Sequence, residues 1–281
     1  YLLTQKRDEL NAKDFAKQIL SRYESYTGEF KDIKSTDPEP FEAVTLKMGW
    51  LQEWAKVSQP FIDNNLIGYA DSLGKFYGGE MVCAGLLYSP ALGSFFPGNP
   101  EKAYAEAYKL SFYDLGYAKD ISALSAAMTA AGMKQGATKE DLLASLRLDP
   151  EHYFESRLVG RTAHNILKNA LWISDEAAKR DSLGNQLHPD SKALQFAFAQ
   201  LDGRLQDMPF HAGEIWLQTL TAMIYSDFDF MGTLAFLVNY GRDNDTTAAV
   251  AGGILGAYYG FENLPKLERE KVLRVNKELL G

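Results

Sequence analysis

Two aspartates set two residues apart, Asp243 and Asp245, stand directly before Thr246, Thr247 and a run of small residues, Ala248-Ala249-Val250-Ala251-Gly252-Gly253. Carboxylates at that spacing on a loop can turn their oxygens toward one point, and a threonine hydroxyl at the start of a helix adds a further oxygen. Such hard donors suit Mg²⁺, Mn²⁺ or Ca²⁺. Small residues after them let the following helix lie close to its neighbours and hold the loop rigid. The competing reading is purely structural: Asp245 caps a helix beginning near Thr246 and Asp243 sits in a polar turn. An EF-hand is excluded, because Ala248 would replace the glycine at its sixth position and Ile254 the glutamate at its twelfth.

The other reactive side chains form no motif. His152, His164, His188 and His211 are not paired at zinc spacing, so an H-E-x-x-H hydrolase is absent. His211, just ahead of a helical pattern, is the histidine with a place near a pocket. A single cysteine, Cys83, forbids an internal disulfide and any Cys-based cluster, and its apolar context reads as core. No G-x-S-x-G is present. Asp71 and Glu80 flank a glycine-rich stretch that permits close backbone approach to a ligand. Tyr77, Tyr113, Tyr258 and Tyr259 are either core residues or rings on which a base or sugar stacks.

The elements that must position these residues are helical. Periodic stretches follow helix spacing, and no alternating β-branched run argues for a sheet, so the chain reads as all-α. Asn11 with Asp14 starts a helix carrying Phe15, Ile19 and Tyr23, with Gly28 as its expected stop. Phe41 to Val57 is expected to form the next, ending before Pro60. Asn99-Pro100-Glu101 opens a third, to about Phe112, and Thr138 with Asp141 a fourth. Helical patterns follow within 151–179 and over Lys192 to Leu201, Glu214 to Tyr225, Phe230 to Tyr240, Thr246 to Tyr259 and Pro265 to Leu280, with a polar loop at 181–190. Short connections and the absence of a repeat predict one domain over 1–281, a compact orthogonal multi-helix bundle.

Composition narrows the function classes. The 281 residues are 46% hydrophobic and 23% charged, which excludes a disordered chain. A net charge of -8 with no basic run argues against nucleic acid as a partner. The longest uncharged stretches are broken by Pro and Gly or too short to span a membrane, so no membrane partner is expected.

The segment from Gly241 through Gly260 resembles the C-terminal signature of the ADP-ribosylglycohydrolase family, G-G-D-T-D-T followed by A-x-x-A-G-x-x-x-G-A-x-x-G. Arg242 and Asn244 are its departures. The preceding stretch, Gly213 to Asn239, is similar to the family's two helices before that loop, with an acidic turn at Asp227-Phe228-Asp229 read as helix caps. Tyr77 to Val82 is similar to the family's N-G-x-x-M-R segment, in which Gly78 and Met81 match while Tyr77 and Val82 do not. Pro97 to Ala103 is similar to P-G-D-P-x-x-A. Ser111-Phe112-Tyr113-Asp114 stands where the family has S-x-T-H.

The resemblance implies an all-α metal-dependent hydrolase that cleaves an N- or O-glycosidic bond to a ribose-like group in an ADP-ribose-like substrate. It implies a binuclear Mg²⁺ (or Mn²⁺) centre held in part by Asp243, Asp245 and Thr246, with Asp243 and Asp245 catalytic and Gly78 and Met81 at the substrate. Positive ions would offset the repulsion between a chain of charge -8 and a phosphate-bearing substrate. The family's opening motifs have no counterpart before Tyr1, so the remaining metal ligands and the first helices are expected upstream of residue 1. By analogy the location is cytoplasmic, with a secretory segment upstream of Tyr1 left open. The alternative is a non-catalytic helical binding or scaffold relative that keeps the acidic loop as a capped turn.

Overall fold

The computed structural model describes residues 1–281 except 3–4, 7–8, 33–37, 151, 153, 155–157, 159, 182–186 and 278–281. Two long helices, Ala12–Asp32 (α1) and Pro38–Ile62 (α2), pack together, and Leu66–Gly74 (α3) leads into a 3₁₀ turn at Phe76–Gly79. Then come Ala84–Ser94 (α4), Pro100–Leu110 (α5), Ala118–Gly132 (α6), Lys139–Ser145 (α7), Thr162–Ala178 (α8) and Lys192–Asp202 (α9). Ala212–Tyr225 (α10), Phe230–Tyr240 (α11), Asn244–Tyr259 (α12) and Lys266–Val275 (α13) complete the all-α fold. Among the described residues no strand forms; Val82 and His211 make an isolated antiparallel bridge. None of the helices is long and apolar enough to cross a membrane.

Helix starts follow local chemistry. Asn11 Oδ1 accepts from the Lys13 and Asp14 N–H groups, Asn99 accepts from Lys102 N with Pro100 beginning α5, and Thr138 and Asp141 form a reciprocal capping box. Asp229 caps α11 through Gly232 N at 2.6 Å, as its position in the sequence implied. Asp227, in contrast, turns outward to pair with Lys139 at 2.6 Å.

The core is built around α6. Residues Asp120 to Gly132 are buried throughout, and α4, α5, α7, α10 and α12 surround the helix. Its Ala and Ser side chains allow close approach: a Cβ at Gly93 of α4 would lie 2.3 Å from the Ala126 carbonyl oxygen. A helix covered on every side has no polar stripe, which is why periodicity passes over α6; α4 escapes notice because its exposed positions, such as Leu87 and Ala91, are apolar too. α3 was not expected from the sequence either.

Two expected helix ends are displaced. Gly28 does not stop α1, which continues to Asp32; packing along α2 outweighs the ~1 kcal/mol propensity penalty of one helical glycine. Pro60 lies inside the last turn of α2 instead of beyond it. That turn is fixed by tertiary contacts, since Phe61 stacks on Phe112 at 4.4 Å and Ser58 hydrogen-bonds Tyr113. The first helix of the expected 151–179 stretch begins only at Thr162. Much of the expected loop at 181–190, Asp37 of the turn before α2, and the last residues of the C-terminal helix lie outside the described residues.

A buried ion pair ties the loop before α8 to the core. Arg161 binds Asp120 bidentately, Nε to Oδ2 at 2.7 Å and Nη2 to Oδ1 at 2.6 Å, and the Tyr104 hydroxyl donates to Oδ1 at 2.7 Å. Both charged side chains are at most 3% exposed. Removing one partner strands the other in the core, so Asp120→Ala should lower stability by about 3–5 kcal/mol. Glu176→Ala, which removes surface ion pairs with Lys179 and Arg180, should leave it nearly unchanged. Urea unfolding followed by circular dichroism checks both, and equal midpoints for the two variants would contradict the account.

Candidate functional site

The acidic loop is shaped by its backbone. Gly241 (φ 85°) and Arg242 (φ 61°) turn left-handed in succession between α11 and α12. The left-handed region disfavours an arginine by about 1–2 kcal/mol. Arg242 is held there by its side chain: Nε donates to Glu214 Oε1 at 2.9 Å and Nη2 to the Gln206 carbonyl at 2.8 Å. Glu214, 3% exposed in the first turn of α10, also accepts from Gln206 N at 2.8 Å and Gln218 Nε2 at 3.0 Å. The substitution at the family's glycine therefore ties the loop to a buried carboxylate.

α12 begins at Asn244, two residues earlier than expected. Asp243 is the residue before its first turn yet makes no side-chain capping bond, and Asp245 lies inside that turn. Asp245 is therefore not at the cap position, although its carboxylate accepts from the Thr246 N–H of that turn. Asp243, Asp245 and Thr246 instead line one cavity of about 270 Å³. Close packing of the small-residue helix is seen at Gly253, where a Cβ would lie 2.7 Å from Pro90 Cβ, but Gly256 meets open space.

The rest of the cavity wall is aromatic and apolar. Trp50 and Trp54 of α2, Phe210, and Cys83, Ala84 and Leu87 at the start of α4 line it. Tyr77 joins them from a strained turn in which Tyr77 (φ 45°), Gly78 (φ 78°) and Gly79 (φ 85°) are all left-handed. Its hydroxyl accepts from Trp54 Nε1 at 3.3 Å. A second recess of about 380 Å³, bounded by Thr45, Leu46 and Gly49, shares Trp50 and Tyr77 with the first.

Of the residues picked from sequence, the two aspartates and Thr246 converge. Gly78 and Met81 lie next to the cavity in sequence but are not part of its wall. Gly78 serves the turn that presents Tyr77. The Met81 carbonyl accepts from Ala212 N at 2.8 Å, which with Cys83 N to the Phe210 carbonyl at 3.1 Å joins the 81–83 and 210–212 segments. His211 turns inward to accept at Nδ1 from Gly213 N, and its neighbour Phe210 faces the cavity. Cys83 lines the cavity, where burial first and the Asp243 charge second push its thiol up to about 12, so it is no nucleophile. Trp50, Trp54 and Phe210 carry no motif; the spacing of the two tryptophans placed them on one helical face and nothing more.

The donors are hard oxygens, the type that suits a divalent ion. Two carboxylates and a hydroxyl at the mouth of a cavity are the protein share that Mg²⁺ takes, with water or substrate oxygens completing the shell. Among the described residues no group of three or more His, Cys, Asp or Glu side chains is arranged to hold an ion. The second ion of a binuclear centre finds no further protein ligands in this set.

Burial pushes the Asp243 carboxyl up to about 6, aided by Asp245, which accepts its proton and repels its charge, and by Glu214; the Thr246 hydroxyl pulls the other way. Asp245 is lowered by the hydrogen bonds it accepts from Asp243 and the Thr246 N–H. The pair shares one proton as the pH approaches that of Asp243. In metal-free protein, carboxyl NMR should show Asp243 protonated below about pH 6 and ionised above it. Asp245→Asn removes the like charge and weakens the proton acceptor, so the Asp243 midpoint should fall toward the usual carboxylate range while burial keeps it elevated. A midpoint unmoved by that substitution would show that the carboxyls do not interact.

The family model described as ADP-ribosylglycohydrolase matches residues 2–280, so the likeness runs through α1 and α2 as well as the segments that carry recognisable motifs. No curated protein and no solved structure matches the chain. The all-α architecture, the acidic loop ahead of a Gly/Ala-rich helix and a match over nearly the whole length lead to one conclusion: the chain belongs to the ADP-ribosylglycohydrolase family.

Proposed function

We propose that this chain is a metal-dependent hydrolase that cleaves an N- or O-glycosidic bond to a ribose-like group, with Asp243, Asp245 and Thr246 holding Mg²⁺ or Mn²⁺. The observation that carries the reading is the convergence of those three side chains on one cavity, with Asp243 free of any capping bond. Family membership supports glycohydrolase chemistry in general; the ion and the bond cleaved are the finer part of the proposal.

A bound divalent ion supplies Lewis-acid polarisation of sugar hydroxyls and water. The chain does the rest. Thr246 orients Asp243 through its hydroxyl, and the Arg242–Glu214 pair holds the loop. Each carboxylate has two oxygens, so one can hold the ion while the other takes the proton of the attacking water. Hydrolysis then forms a bond from the water oxygen to the anomeric carbon and breaks the bond to the leaving nitrogen or oxygen. The leaving atom keeps the electron pair and receives the proton. Val82 and Ala84, both buried, make part of the wall apolar, which strengthens the electrostatics of that step.

A second reading, a non-catalytic relative, draws on the donor set stopping at two carboxylates and one hydroxyl. Titration of Mn²⁺ or Mg²⁺ by calorimetry separates the two. Wild type should bind and Asp245→Ala should not. Hydrolysis of ADP-ribosylated and simpler ribosylated compounds should stop in EDTA, and Asp243→Asn should lose about 10²–10⁴-fold in rate. Equal heats for wild type and Asp245→Ala would sink the metal assignment, and metal binding without release of free sugar from any of these compounds would favour the non-catalytic relative.

A further inference from the structure

α2 carries two apolar stripes, and α1 covers one of them. Val44, Met48, Leu51 and Ala55 recur at helical spacing and are buried or half-buried on the side along which α1 packs. Leu46, Trp50, Trp54 and Val57 form a second stripe, about a third of a turn away. Its inner end belongs to the core, since Val57 is fully buried and Trp54 packs against Phe76 and Tyr113. Outward the cover is lost: Trp50 is 59% and Leu46 64% exposed, and Ala43, a turn further, is exposed as well.

That stripe passes the candidate site. Trp50 and Trp54 line the cavity that holds Asp243, Asp245 and Thr246, and Trp50 also bounds the recess of about 380 Å³ with Thr45, Leu46, Gly49 and Tyr77. Gly49 notches this face, because a Cβ there would meet nothing within 4 Å. From Trp54 to Ala43 the stripe runs roughly 16 Å at ~1.5 Å per residue, the reach of about five residues of extended chain.

Shape decides between occupants. Small ligands are held in clefts that bury ~70–90% of their surface, whereas this face is open along the helix. A nucleoside stacked on Trp50 would cover that ring and leave Leu46 and Ala43, one and two turns further out, in water. An extended polypeptide can lay side chains along the stripe and cover all three. The cavity of about 270 Å³ has room for a sugar but not for a polypeptide bonded to it, and at Trp50 and Tyr77 its wall is continuous with the recess.

We propose that the outer face of α2, centred on Leu46, Gly49 and Trp50, docks the polypeptide that carries the sugar, with apolar side chains flanking the modified residue seated in the recess. The inference rests on the hydrolase reading for the sugar end and adds a protein-recognition surface to it. Tryptophan is among the residues that dominate binding energy at protein interfaces, and Leu46 beside it supplies further apolar area.

The test uses the full chain with Mg²⁺ and labelled peptides carrying ADP-ribose on a central arginine or serine, flanked either by leucines or by glycines, with free ADP-ribose as competitor. Affinity is read by fluorescence anisotropy before sugar is released, and release by chromatography. The leucine-flanked peptide should bind about tenfold more tightly than the glycine-flanked one. Leu46→Ser and Gly49→Gln should each remove most of that difference and leave competition by free ADP-ribose unchanged. Leu46 is exposed, and Gly49→Gln puts a better helix former at an open position, so both variants should fold. Equal affinity for the two peptides, or binding of neither, overturns the inference. So does a loss in the variants as large for free ADP-ribose as for the peptide, which would put a nucleoside in the recess. A dimer in sedimentation that Leu46→Ser dissociates would assign the stripe to a second copy and overturn it too. The hydrolase reading fails separately: peptide binding that depends on Leu46, without release of sugar, would refute hydrolysis and leave the docking face standing. Sugar release at one rate from both peptides, unaffected by either variant, would do the reverse.

Discussion

The site depends on a buried carboxylate reaching across the helix packing to hold a strained loop. Glu214 is enclosed near the start of α10 and accepts hydrogen bonds from Gln206, Gln218 and Arg242. A buried charge left unpaired is expensive, whereas one that is paired and fully hydrogen-bonded fixes the position of its partners. Here the partner is Arg242, at the left-handed turn that aims Asp243 into the cavity. The same negative charge acts on Asp243 and helps to raise its carboxyl. One interaction therefore sets the direction of the loop and part of its electrostatics.

Around that anchor, backbone proximity carries the architecture. α6 has side chains too small to hold its neighbours away, and glycines at the contacts remove the remaining obstacle. Gly85 is needed for another reason: a Cβ there would lie 2.2 Å from Asp114 Oδ2, so the carboxylate that closes the start of α4 requires it. Burial pushes Asp114 up to about 6, with Ser122 and the Gly85 N–H pulling it down. The cavity wall and the core are thus parts of one packing arrangement.

The aromatic wall is assembled differently. Trp50 and Trp54 come from α2, Tyr77 from a turn after α3, and Phe210 from the segment before α10, far apart along the chain. Trp54 packs against Phe76 and Tyr113 at 5.8 and 4.5 Å, which fixes the inner tryptophan while Trp50 stays open to solvent. A rigid inner ring beside an accessible outer one is a sensible division for a wall that both excludes water and meets a ligand.

Much was legible in the amino-acid order alone: the all-α class, the capped starts of α1, α5, α7 and α11, and the local acid and hydroxyl pattern of Asp243, Asp245 and Thr246. Caps and periodicity are local, and an acid pair before a small-residue helix is a local pattern too. What the order could not reveal was non-local. α6 is covered on all sides and α4 leaves an apolar face open, so neither carries a polar stripe, and Gly28 and Pro60 stay helical because distant residues pack against them. That Asp245 lines a cavity depends on where α12 begins, and the loop before it is held by the Arg242–Glu214 contact over 28 residues of separation. The identity of the wall facing the aspartates was likewise a matter of tertiary structure, because side chains from three separate segments become neighbours only when the helices pack.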